Sequence, residues 1–228
     1  MAHRGDPVGH RENTLAAFHS AAALGADMIE IDLRRTGDGG IVVLHDPTLK
    51  RLWGLDRPVA EMDLAEVQAV GGASSSTRIP TLAEVLEEIS LPLMVDFTKR
   101  DVVEGALAAV TAAGPATVAR CLFVTGNVEA LRLLRGLSSE VRIGLTWVEE
   151  GMPPSSLLID ELGAEYWNPM FSRITPQRVQ AIHDLGLLVS CWTVDKKRDM
   201  RRLIGAGVDA MVSNRINDLR AVLDQSPR

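Results

Sequence analysis

Along this chain, short apolar runs alternate with longer stretches in which apolar residues recur every three or four positions. The runs at 27–33, 92–97, 120–124, 141–146, 165–168, 187–194 and 208–213 have the length of β-strands. The amphipathic stretches at 13–24, 81–89, 102–113, 127–136, 154–162, 175–185, 196–206 and 217–224 have the length and spacing of helices. Strands and helices in alternation are βα units, which build a parallel sheet through right-handed crossovers.

Local punctuation fixes several ends. Thr81-Leu82-Ala83-Glu84, behind Pro80, spells a capping box that opens a helix. Pro176 follows Thr175, where a first-turn proline belongs, and Gly186 and Gly207 follow apolar-periodic stretches, where helices end. Asp38-Gly39 ahead of Ile41-Val42-Val43-Leu44 predicts a hairpin that returns along the strand at 27–33. The stretch 54–80, with Gly71-Gly72 and Ser74-Ser75-Ser76, predicts an excursion carrying a short helix near 63–70. Seven strand-like runs leave an eight-stranded barrel one stave short. The missing stave is then the first, ending at His3-Arg4 after only Met1 and Ala2, so it is shortened or starts upstream. The expected fold is an α/β single domain over 1–228, a (β/α)8 TIM barrel. The 228 residues suit it, since such barrels take about 250 and can start near 200.

Composition narrows the function classes. The net charge of −6, with acids spread along the chain, argues against a broad basic face for nucleic acid. A small anionic substrate remains compatible, because a metal ion and a few local cations set the potential inside a pocket. No apolar stretch reaches the ~18 residues of a spanning helix. Met1-Ala2-His3-Arg4-Gly5-Asp6 carries no apolar signal core. A cytoplasmic location without a stable membrane anchor is expected. Cys121 and Cys191 sit in separate apolar runs and read as reduced, buried thiols rather than a disulfide. Glycine-rich phosphate loops, a Gly-x-Ser-x-Gly elbow and Cys-x-x-Cys pairs are all missing, so nucleotide-cofactor, serine-hydrolase and zinc readings have no support.

The richest segment is Asp27-Met28-Ile29-Glu30-Ile31-Asp32-Leu33. Side chains alternate along a strand, so Ile29, Ile31 and Leu33 share the face packed on helices while Met28, Glu30 and Asp32 share the interior. Two inward carboxylates near a strand's C-terminal end are costly when unpaired; a hard divalent cation, Mg²⁺ or Ca²⁺, offsets that cost. Pairing with basic residues or water is an equal alternative at this point. Asp96 ends the run Leu93-Met94-Val95-Asp96-Phe97 and could complete a three-carboxylate site, or simply cap the next helix. His3 ends the first stave and His45 ends the hairpin's return arm. Two imidazoles beside a metal-bound phosphate suit general acid–base work. His10, His19 and His183 lack such company, and the last two read as helix-surface residues. Arg4 and Lys99 are candidate cations for phosphate oxygens, and Trp192 either walls a substrate pocket or fills the core.

These residues resemble the glycerophosphodiester phosphodiesterase family. The likeness rests on His3-Arg4-Gly5, Glu12-Asn13-Thr14 with Ala17-Phe18, and Gly25-Ala26-Asp27 with Ile29-Glu30-Ile31-Asp32. It continues through Asp38-Gly39, Val43-Leu44-His45-Asp46 with Leu49 and Arg51, Pro80 to Leu86, Trp192-Thr193-Val194 and Gly207-Val208-Asp209. The resemblance implies hydrolysis of a small-molecule glycerophosphodiester to glycerol 3-phosphate and an alcohol. It implies a divalent cation on Glu30, Asp32 and a third acid, His3 and His45 as the acid–base pair, and Arg4 against phosphate. Three positions depart from the family's usual pattern. Asp96-Phe97-Thr98, with Lys99 next, stands where Glu-x-Lys is usual; Arg11 stands where a proline precedes Glu-Asn-Thr; and Val212-Ser213-Asn214-Arg215 lacks Thr-Asp-x-Pro. Two other readings share the histidine–carboxylate arrangement: a barrel phospholipase of the phosphoinositide or sphingomyelinase D kind, and a phosphate-ligand binding barrel without turnover.

Overall fold

A computed structural model describes residues 1–72, 74–147 and 154–225; residue 73, within the predicted excursion, lies outside them. Eight strands form the wall: β1 (Ala2–His3), β2 (Ile29–Arg35), β3 (Leu93–Asp96), β4 (Cys121–Thr125), β5 (Arg142–Trp147), β6 (Ala164–Pro169), β7 (Leu188–Cys191) and β8 (Ala210–Met211). Each pairs in parallel with the next. A parallel bridge between Ala2 and Ser213 joins the last strand to the first, with the His3 amide donating to the Ser213 carbonyl at 3.0 Å. The expected barrel is therefore present. Its two-residue first stave suffices because it bonds to a neighbour on each side.

Helices follow the strands as the periodicity predicts, among them Leu15–Ala23, Leu82–Glu88, Val103–Ala112 and Pro176–His183. Thr14, Thr81 and Thr175 accept backbone amides as N-caps, and Thr81 and Glu84 complete the capping box. A helix at Pro115–Arg120 was not foreseen, because Gly114 and Pro115 read as the end of the preceding one. The run 187–194 outlasts its strand. The ladder stops at Cys191, and Val194 packs into the outer core, because an apolar run marks burial rather than pairing.

The interior has three parts. Between sheet and helices lies the main core, where Ile29, Ile31 and Leu33 meet Phe18, Leu82 and Val85. Inside the barrel, Met94, Leu122, Val124 and Val212 pack with Met28, Tyr166 and Trp192. A satellite core of Val42, Leu44, Leu49, Val59, Met62, Val67 and Ile79 sits beside the barrel. Its frame is the predicted hairpin arm Ile41–Val43, antiparallel to β2, and the predicted helix Leu64–Val70. A two-stranded ribbon, Thr48–Leu49 with Leu55–Pro58, completes it, and polar Asp56 and Arg57 hid that ribbon from an apolar scan. Cys121 and Cys191 are buried free thiols, and burial pushes them up to about 11 and about 12. Among the described residues, no helix is long and apolar enough to cross a membrane.

Candidate active site

Alternation along β2 aims Glu30 and Asp32 into the mouth of the barrel. Register does the rest: His3 on β1 lies opposite Glu30, and Asp96 on β3 lies opposite Asp32. Carboxylate oxygens of Glu30, Asp32 and Asp96 come within 4.8 Å of one another. The cavity they share measures about 490 Å³ and is lined also by His3, Arg4, Arg34, His45 and Trp192. Every candidate site residue except Lys99 lies on this one cavity. Lys99 is exposed and lines a separate shallow depression with Pro47 and Val102. It points away because Phe97 faces the main core, so Thr98 takes the inward position one place earlier.

The acids are held at an electrostatic cost. Burial, then the neighbouring Asp32 and Asp96, drive Glu30 well above the ordinary carboxylate range. Burial, then Asp32, push Asp96 up to about 7. Three crowded carboxylates with only oxygen donors fit a hard divalent cation, whose charge would reverse both shifts. The protein already supplies partial relief. The Arg4 amide donates to Glu30 at 3.0 Å, the Arg4 Nε lies 3.0 Å from Asp32, and the Asn13 amide donates to Asp32 at 2.8 Å. Arg4 and Asn13 both adopt left-handed backbone, φ 55° and 56°, which non-glycine residues rarely enter. Among the described residues no other non-glycine residue does so, and both of these embrace the acids.

Each histidine is oriented by a partner. His3 Nδ1 lies 2.8 Å from the Asn214 carbonyl oxygen. The Asn214 amide group donates to Asp195 at 2.8 Å, which fixes which Asn214 atom faces the ring. His3 Nδ1 therefore carries a proton, and Nε2, 3.9 Å from Glu30, is free to accept one. Burial, then the Arg4 charge, lower the His3 pKa and favour the neutral ring. His45 Nδ1 lies 2.7 Å from Asp46. Asp46 is held at about 2, chiefly by Arg51, whose Nε is 2.6 Å away. Arg51 also grips Glu12 at 2.6 Å, and Glu12 accepts from Arg4 at 2.8 Å. The two histidine loops are thus tied by one chain of charged bonds. Trp192 walls the cavity, its Nε1 donating to the Asn168 carbonyl at 3.1 Å.

Sequence reasoning missed Arg34, Asn13, Asn214 and Asp195. Arg34 had a signal, since it continues the inward alternation of Glu30 and Asp32. Asn214 had none, because barrel closure alone brings it across 211 positions to His3. Of the other histidines, His19 is exposed as expected, and His183 is half-buried against Asp209 at 2.8 Å.

Known proteins resemble this chain in sequence and fold. The pattern of the Glycerophosphoryl diester phosphodiesterase family matches residues 3–218. A glycerophosphodiester phosphodiesterase of Caldanaerobacter subterraneus subsp. tengcongensis is 31% identical, over 94% of this chain and 93% of its own. The structure of an Oleispira antarctica phosphodiesterase, in complex with the product sn-glycerol-3-phosphate, superposes with a TM-score of 0.88 at 26% identity. It covers 98% of this chain and 95% of that one. A glycerophosphodiester phosphodiesterase from Thermotoga maritima shares the fold, with a TM-score of 0.83 at 21% identity over 97% and 96% of the two chains. With the family pattern running from the first stave to the last helix, this chain belongs to the glycerophosphoryl diester phosphodiesterase family.

Proposed function

We propose that the chain hydrolyses glycerophosphodiesters to glycerol 3-phosphate and an alcohol, with Mg²⁺ or Ca²⁺ held by Glu30, Asp32 and Asp96. The observation that carries this reading is the meeting of three carboxylates, within 4.8 Å, and two imidazoles on one cavity. The relative that holds sn-glycerol-3-phosphate supports the same substrate class. When bound, the cation supplies charge neutralisation and polarisation of a phosphoryl oxygen.

The chain's own residues do the rest. His3, neutral and with Nε2 unprotonated, takes the proton of the attacking hydroxyl. His45, anchored by Asp46, returns a proton through Nε2 to the leaving oxygen. The resemblance supplies the order: the glycerol hydroxyl attacks phosphorus, and water opens the cyclic phosphate with the two histidines exchanging roles. Arg4 holds Asp32 in place and reaches phosphate with its remaining nitrogen. Trp192 closes one side against water. Lys99 has no part, since it lies off the cavity.

A panel of glycerophosphodiesters is scored for released glycerol 3-phosphate, and sphingomyelin and phosphoinositide arms for released choline and inositol phosphate, each under Mg²⁺, Ca²⁺, Mn²⁺ and EDTA. Release from glycerophosphodiesters that EDTA abolishes is expected. Turnover only in the lipid arms would move the chain to the phospholipase reading. No turnover in any arm would leave a binding barrel.

A further inference from the structure

We infer that Arg34 binds the negative charge of the substrate's phosphate; the inference rests on the function proposed above. Arg34 stands two residues beyond Asp32 on the inward face of β2, about 7 Å nearer the mouth. It lines the catalytic cavity. Its Nε donates to the His45 carbonyl at 2.9 Å, a second donor reaches the same oxygen, and Nη1 donates to the Thr98 hydroxyl at 3.1 Å.

What distinguishes Arg34 is the nature of those partners. All are neutral, and among the described residues it forms no ion pair with a carboxylate. The other cation on the cavity, Arg4, has its charge met by Asp32 and Glu12. Arg51 is likewise consumed by Asp46 and Glu12. Asp96 feels the Arg34 charge but is itself committed to the three-carboxylate cluster. A guanidinium has five N–H donors, of which three are used here, so two remain for an anion.

The fixation matters as much as the charge. The His45 carbonyl and Thr98 clamp the guanidinium from two elements, the hairpin arm and the end of β3, so little side-chain entropy is lost when phosphate arrives. The arrangement also joins phosphate binding to the placement of His45, because one side chain touches both.

The test compares wild type, Arg34→Gln and Arg34→Lys. Calorimetry measures binding of glycerol 3-phosphate, inorganic phosphate and uncharged glycerol in the presence of cation; kinetics measure KM and kcat; a separate titration measures cation affinity. Arg34→Gln is expected to weaken both phosphates by about ten- to a hundredfold, the worth of a charged hydrogen bond, with glycerol and cation affinity unchanged. Arg34→Lys, which keeps the charge but cannot clamp the His45 carbonyl in two places, is expected to recover phosphate binding while kcat stays reduced. Unchanged phosphate affinity in Arg34→Gln overturns the inference, as does equal loss in Arg34→Lys, which would mark Arg34 as a support for His45 only. Binding remains readable if no glycerophosphodiester is turned over, so the two readings fail separately. A wild-type protein that binds neither phosphate overturns this one.

Discussion

His3 and His45 reach the cavity by unlike routes, one from a barrel stave and one from a hairpin arm, yet both rings are pinned at Nδ1 by an oxygen. A hydrogen bond at one ring nitrogen fixes the tautomer, and so the state of the other nitrogen. His3→Ala and His45→Ala are each expected to lower kcat by about 10²- to 10⁴-fold while the circular dichroism spectrum stays native. Near-normal turnover in both would remove the pair from the mechanism. Asp96 makes a second prediction. Its folded value of about 7 lies above the ordinary 3.8, so the folded chain holds a proton that the unfolded chain has released. The stability this contributes is whole below about pH 3.8 and is lost as pH rises through about 7, an effect of about 4 kcal/mol at most. Glu30 pushes in the same direction. In EDTA, melting is expected to fall between about pH 4 and about pH 7, less so in Asp96→Asn, and least with cation added. A slope identical in wild type and Asp96→Asn would show that Asp96 titrates normally.

The element that matters most is the turn after β1. Gly5 has φ 85°, and a Cβ there would lie 2.7 Å from the Ala17 backbone. Gly5→Ala is expected to cost about 1–3 kcal/mol in urea unfolding and to depress kcat, because the same turn carries His3 and Arg4. A variant with unchanged kcat would show that the turn tolerates displacement. At this scale the sequence was informative where local rules act alone. Alternation placed Glu30 and Asp32 inward, Asp38-Gly39 marked the hairpin, and Thr81 with Glu84 marked a helix start. It was silent where three-dimensional neighbours decide. The polar ribbon Leu55–Pro58 owes its pairing to the satellite core, and Asn214 owes its place beside His3 to closure of the barrel. Lys99 misled because proximity in sequence to Asp96 said nothing of the outward turn after Phe97.

For the whole molecule, ligands that bind only the closed barrel raise its stability by mass action. Cation with glycerol 3-phosphate at a hundred times Kd contributes about 2.7 kcal/mol. For a domain of this size that corresponds to a rise in Tm of roughly 5–10 °C. Neither ligand alone is expected to give the full shift, since Glu30, Asp32 and Asp96 line the same cavity as Arg4 and Arg34. A full shift with EDTA present would separate the phosphate from the metal.

The satellite core has an outcome of its own. It is seven buried side chains strong, against the far larger cluster that surrounds the barrel, and yet it carries the strand Ile41–Val43 that leads to His45. Heating is therefore expected to blow a small fuse first. Turnover should fade several degrees below the main calorimetric transition and return on cooling, with the larger wheel of staves intact throughout.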